Sequence, residues 1–187
     1  LDPITIHAQL SEWVANVTGE KNAIISEFDR PSGSGMSSET LLFESTWGEG
    51  EKKVHKKLVA RLAPTDQDIP VFPTYDLSSQ VKVMKLVEQL TDIKVPKVLW
   101  EEPSIDVLGV PFFVMEQVPG RVPPDIPPYV FGGWLLDATP ESQLQLQELC
   151  VGIIAQLHQI KQKSPVTDFL EFRTQGETAL KRHFTNQ

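Results

Sequence analysis

Apolar residues recur at helical spacing over 5–17, where Ile6, Leu10, Trp13, Val14 and Val17 share one side of a helix that Gly19 should stop. The pattern then shifts to short strand-like runs. AIISEF (23–28) and ETLLFESTW (39–47) flank the turn-rich DRPSGSGMSS (29–38), which predicts a hairpin. Gly48-Glu49-Gly50 makes a second turn, KKLVARL (56–62) is a third strand, and a Pro- and Asp-rich loop occupies 63–74. Helical spacing returns over 76–91, with Leu77, Val81, Met84 and Val87 on one stripe and Asp76 as the N-cap. VPKVLWEE (95–102) and VLGVPFFVMEQV (107–118) are two further strands, separated by a turn at 103–106. The order α, β-hairpin, β, α, β, β has short connections. It predicts an α+β fold of five antiparallel strands around one helix, packed on one face.

Residues 119–138 break the pattern. Five prolines and three glycines in this stretch exclude continuous helix or strand, so it reads as a hinge and linker. Thr139-Pro140-Glu141 then starts a helix with Thr as N-cap and Pro as the first helical residue. Over 141–162, Leu144, Leu146, Leu149, Val151, Ile153, Ile154 and Leu157 occupy more than a narrow stripe. Such a helix needs cover: from the sheet domain, from a partner, from self-association through 141–162, or from a helical lobe that this chain only begins. Three segments follow: 1–118, 119–138 and 139–187.

Composition narrows the chemistry. A net charge of −8 offers no basic face for nucleic acid. Cys150 is the only cysteine, so neither a disulfide within the chain nor a thiolate metal site is expected. No membrane span or secretory leader is read, and a cytoplasmic location is the expectation. The sequence contains no GxxxxGK[ST], HExxH, CxxC or GxSxG, and His7, His55, His158 and His183 do not stand at metal-ligand spacing.

One ordered set points to a chemistry. A glycine-serine loop lies between two strands, a cation (Arg61) stands on the third, a helix follows, and the last strand ends in Met-Glu-Gln-Val before a turn. Small-residue loops let backbone N–H groups approach phosphates, a fixed cation neutralises them, and a strand edge can pair with a flat heterocycle. Each member also has a plainer reading: a hairpin turn, a solvated charge, a buried strand that simply ends. The order is that of a kinase N-terminal lobe.

SGSGMSSETLLF, KKLVARLAP, LGVPFFVMEQVPGRVPPD, PPYVFGGWLLDATPE and IIAQLHQI together resemble the phosphotransferase family of aminoglycoside phosphotransferases and choline kinase-like enzymes, over most of residues 20–160. That resemblance implies a protein-kinase-like N-lobe with the start of a helical C-lobe. It also implies ATP and Mg2+ as cofactors, and transfer of the γ-phosphate to a small-molecule hydroxyl acceptor. By position, Gly33, Ser34, Gly35, Met36, Ser37 and Ser38 would cover the phosphates, and Arg61 would take the place of the phosphate-binding lysine. Gln80 falls where the family's helix glutamate stands, with Asp76 one turn earlier as a substitute charge. Met115 would line the adenine pocket, and the Glu116 C=O and Val118 N–H would bond the adenine edge. No His-Gly-Asp occurs, so no catalytic base or metal ligand is assigned to this chain, which is expected to be inactive alone. The alternatives are a non-catalytic, pseudokinase-like nucleotide-binding scaffold, and an interaction module docking through 141–162.

Overall fold

The computed structural model describes residues 3–29, 39–65, 75–123, 126–160, 167–170, 178 and 181. It is an α+β structure built on one five-stranded antiparallel sheet, with three α-helices among the described residues. The elements are α1 (Pro3–Thr18), β1 (Ile24–Ile25), β2 (Glu39–Trp47), β3 (Val54–Leu62), α2 (Leu77–Leu90), β4 (Val98–Glu102), β5 (Phe112–Glu116) and α3 (Pro140–Leu157). The sheet order is β1-β2-β3-β5-β4. The chain leaves β3, passes through α2 to the far edge as β4, and returns as β5 between β3 and β4.

Two helices flank the sheet, one on each face, where the sequence predicted a single helix on one face. Successive strand residues point to opposite faces. Leu41 and Phe43 of β2, Leu58, Ala60 and Leu62 of β3, and Phe112 and Val114 of β5 form the larger core with Ile6, Leu10, Trp13 and Val14 of α1. The other face carries a smaller cluster of Leu77 and Val81 from α2 around Phe113, with Met84, Val98 and Met115 packed against it. The N-terminal helix therefore supplies the main layer, because Ile6, Leu10, Trp13 and Val14 recur at helical spacing and are buried, whereas Val17, on the same predicted side, and Ile4 are exposed. Its Trp13 also donates from Nε1 to Glu102 Oε2 at 2.9 Å, tying α1 to the end of β4.

Local chemistry sets the element ends. The Asp76 carboxylate accepts from Ser79 N at 2.9 Å and caps α2. Thr139 Oγ1 accepts from Ser142 N at 3.3 Å and Pro140 opens α3. Gly48, at φ +79°, turns β2 towards β3; a Cβ there would lie 2.5 Å from the Lys52 carbonyl oxygen.

Three strand predictions need correction. The run 23–28 pairs as a strand only at Ile24–Ile25, because the Ser26 hydroxyl accepts from Glu44 N at 2.9 Å in place of a backbone carbonyl. The ladder touches once more at Asp29, which exchanges two backbone bonds with Leu42. The run 107–118 is strand only over 112–116. Its beginning is turned by Gly109, at φ +77°, which donates to Ile105 O at 2.8 Å, and Pro111 has no N–H to offer a ladder. Leu108 and Val110 are buried all the same, from irregular backbone. The run 95–102 pairs only from Val98, where the register slips between Val98 and Trp100. No described helix is long and apolar enough to cross a membrane.

Candidate functional site

The register of the three central strands assembles the site. Arg61 of β3 pairs with Thr40 of β2 and Phe113 of β5, and Val59 pairs with Leu42 and Met115. Opposed residues of an antiparallel pair project to the same side. Thr40, Leu42, Val59, Arg61, Phe113 and Met115 therefore share the face that α2 covers only at its β4–β5 end. Arg61 is half-buried and Val59 buried. The result is a cation at one end of a small apolar floor, with the exit of β5 at the other. Val59 is a member that the motif search missed, although the two-residue period of LVAR already places it beside Arg61.

Gln80 lies on α2 between Leu77 and Val81, the two residues that pack on Phe113, the register partner of Arg61. The Asp76 carboxylate holds the Ser79 hydroxyl at 2.6 Å as well as its N–H, so its first task is to begin α2. Gly33, Ser34, Gly35, Met36, Ser37 and Ser38 lie outside the described residues.

At the end of β5 the backbone groups divide. Gln117 N donates to Lys57 O at 2.9 Å, towards β3, while Glu116 N donates to Lys97 O at 2.9 Å, towards β4. Backbone groups two residues apart on an extended chain point the same way. An extended continuation thus aims the Val118 N–H along the Glu116 edge, past Lys97, where β4 has not begun. Val118 is 61% exposed. On the opposite face the Glu116 carboxylate forms an ion pair with Lys56. Nearer solvent, Glu44 forms an ion pair with Lys57 at 3.2 Å and lies 3.4 Å from His55 Nε2.

A cavity of about 580 Å3 lies between the Pro-rich segment and α3, lined by Pro123, Tyr129, Val130, Leu135, Leu136, Gln143, Leu146, Gln147 and Cys150. Among the described residues its lining shares none with the Arg61 face and carries no charged side chain. The Gln143 amide donates from Nε2 to Leu135 O, Leu136 O and Ala138 O at 2.9, 3.2 and 3.2 Å, splicing the end of the segment to the first turn of α3. α3 has no buried residue, and Leu144, Leu149, Val151, Ile153 and Ile154 are exposed. At its start, the backbone N–H of Glu141 and then the Thr139 hydroxyl hold the Glu141 carboxyl below its ordinary value. Among the described residues no three His, Cys, Asp or Glu side chains converge as metal ligands.

No protein-family model matches the chain.

Proposed function

We propose that the sheet domain is the nucleotide-binding lobe of an ATP-dependent small-molecule phosphotransferase. The observation that carries this reading is the β3–β5 register. It puts Arg61 and Val59 beside Phe113 and Met115, and ends the ladder at Glu116, whose N–H still pairs with Lys97 O, so that Val118 lies beyond the paired residues. A purine can lie against Val59 and Met115 while the Glu116 C=O accepts from it and the Val118 N–H donates to it. Arg61, two residues along β3 from Val59, is the group for phosphate oxygens, since a guanidinium can hold two at once. Residues 33–38, which lie between the first two strands in sequence, would cover the phosphates with their N–H groups. ATP, with Mg2+, would supply the transferable phosphoryl group; the hydroxyl acceptor belongs to surfaces that this face does not form.

The 187 residues contain no His-Gly-Asp tripeptide. That observation favours a second reading in which the domain binds nucleotide without turning it over. The two readings share the site and differ only in whether a catalytic base joins it.

Titration calorimetry with MgATP and with adenosine tests the site. The wild-type chain should bind both. Arg61→Met should weaken MgATP by about tenfold or more, the value of losing a charge-assisted contact, and leave adenosine, which has no phosphate, unchanged. Equal loss for both ligands would make Arg61 a structural residue. Absence of MgATP binding by the wild-type chain would remove the nucleotide reading.

A further inference from the structure

We infer that Lys56 is a positioning residue for the nucleotide edge, acting through Glu116; the inference rests on the nucleotide reading of that edge. The register Leu58↔Glu116 is the last strand pair between β3 and β5, and Gln117 N to Lys57 O is the last backbone bond. Continuing the same register by two residues sets Lys56 opposite Val118, where no ladder bond remains. The Lys56 ammonium reaches diagonally back to the Glu116 carboxylate, the reach expected of a long side chain at a cross-strand diagonal. Their ion pair thus closes the ladder at the point where backbone pairing gives out.

Parity places this clasp on the α1 face of the sheet, the side away from Arg61, Val59 and Met115. Lys56 touches no part of the proposed nucleotide surface. It fixes the path of Glu116 and Val118, whose C=O and N–H form the edge on the other side. The clasp borders a solvent-filled cleft of about 390 Å3 lined by His55, Lys56, Lys57, Glu116, Gln117 and Pro119, so neither charge is deeply buried. Both side chains are about one-third exposed, at 34% and 35%, and removing one partner leaves no stranded charge. The effect on global stability is therefore small, and the effect on the local path of the chain is the one to measure.

Lys56→Met keeps the aliphatic stem and removes the ammonium; Lys56→Arg restores a cation. Two readouts are taken on the whole chain: amide hydrogen exchange, and MgATP affinity by calorimetry. Lys56→Met should speed exchange at the Gln117 amide and weaken MgATP, each by about fivefold, with core amides such as Leu58 and Val114 unchanged. Lys56→Arg should recover both. Unchanged exchange and affinity in Lys56→Met, beside a wild-type chain that binds, would overturn the clasp alone. Faster exchange with unchanged affinity would reduce it to a structural contact. A wild-type chain that fails to bind MgATP would overturn the nucleotide reading and, with it, the role assigned to Lys56.

Discussion

Replacing Trp13 with phenylalanine removes one hydrogen bond and one edge of an aromatic cluster, and its cost can be worked out. Trp13 is 6% exposed, with its ring 4.7 Å from Phe112 and 6.1 Å from Trp100, both nearly edge-on. Phenylalanine keeps most of the Phe112 contact but loses the five-membered ring, a burial difference of about 1 kcal/mol. The lost Nε1 bond to the Glu102 carboxylate adds about 1.5 kcal/mol, the low end for a charged acceptor, because Glu102 is half-buried and also accepts from Ser104 N at 3.0 Å. The total is about 2–3 kcal/mol. Urea unfolding followed by far-ultraviolet circular dichroism, on Trp13→Phe, Glu102→Ala and the double variant, separates the two parts. The cycle should return a coupling of about 1–2 kcal/mol between residues 89 apart in sequence. Additive single variants, with coupling below about 0.5 kcal/mol, would show that the hydrogen bond contributes nothing. If Trp13→Phe melted α1 and left the sheet transition in place, α1 would not be the layer on which the sheet is built.

Gly48→Ala should destabilise the β2–β3 hairpin by about 1–3 kcal/mol, since a Cβ at this positive φ meets backbone rather than a movable side chain; an unchanged denaturation midpoint would contradict the turn geometry. The exposed apolar residues of α3 should drive association, so sedimentation should show concentration-dependent species that Leu149→Glu together with Ile153→Glu reduces; a monodisperse wild type at high concentration would mean that α3 needs no cover. Glu141 has a lowered folded-state pKa, so its contribution to the start of α3 is present above the ordinary carboxylate range and lost as pH falls through the folded value. Glu141→Gln should flatten the acid limb of α3 helicity; an acid limb identical in both proteins would show that the carboxylate does not act at the helix start.

Elements governed by local chemistry were legible in the sequence. Asp76, Thr139 and Pro140 cap their helices as their types dictate, and ETLLFESTW is a strand over its whole length, paired with β3 at every residue. Where a side chain or a glycine competes, the pattern overreached: the Ser26 hydroxyl shortens the first strand, and Gly109 with Pro111 bends a run whose apolar residues are buried anyway. The face of burial was less legible. α1 looked like any amphipathic helix, and only the tertiary register shows that it covers the larger core. The same holds at the candidate site. Arg61 and Met115 stood out by motif and by resemblance, whereas Lys56 and Glu116 are 60 positions apart and meet only because β5 returns beside β3.

Three of the chain's four tryptophans belong to the sheet domain: the ring of Trp100 lies 6.1 Å from Trp13 and 5.9 Å from Trp47. The fourth, Trp134, lies in the Pro-rich segment, with the Arg121 guanidinium 4.7 Å over its ring and its Nε1 donating to Val122 O at 3.1 Å. The molecule thus carries two optical reporters of different kinds. The edge-on trio should give an exciton signature in circular dichroism that collapses when α1 leaves the sheet. The lone indole, beside a cation that shifts its emission, should change colour when the Pro-rich segment rearranges, while the trio stays silent.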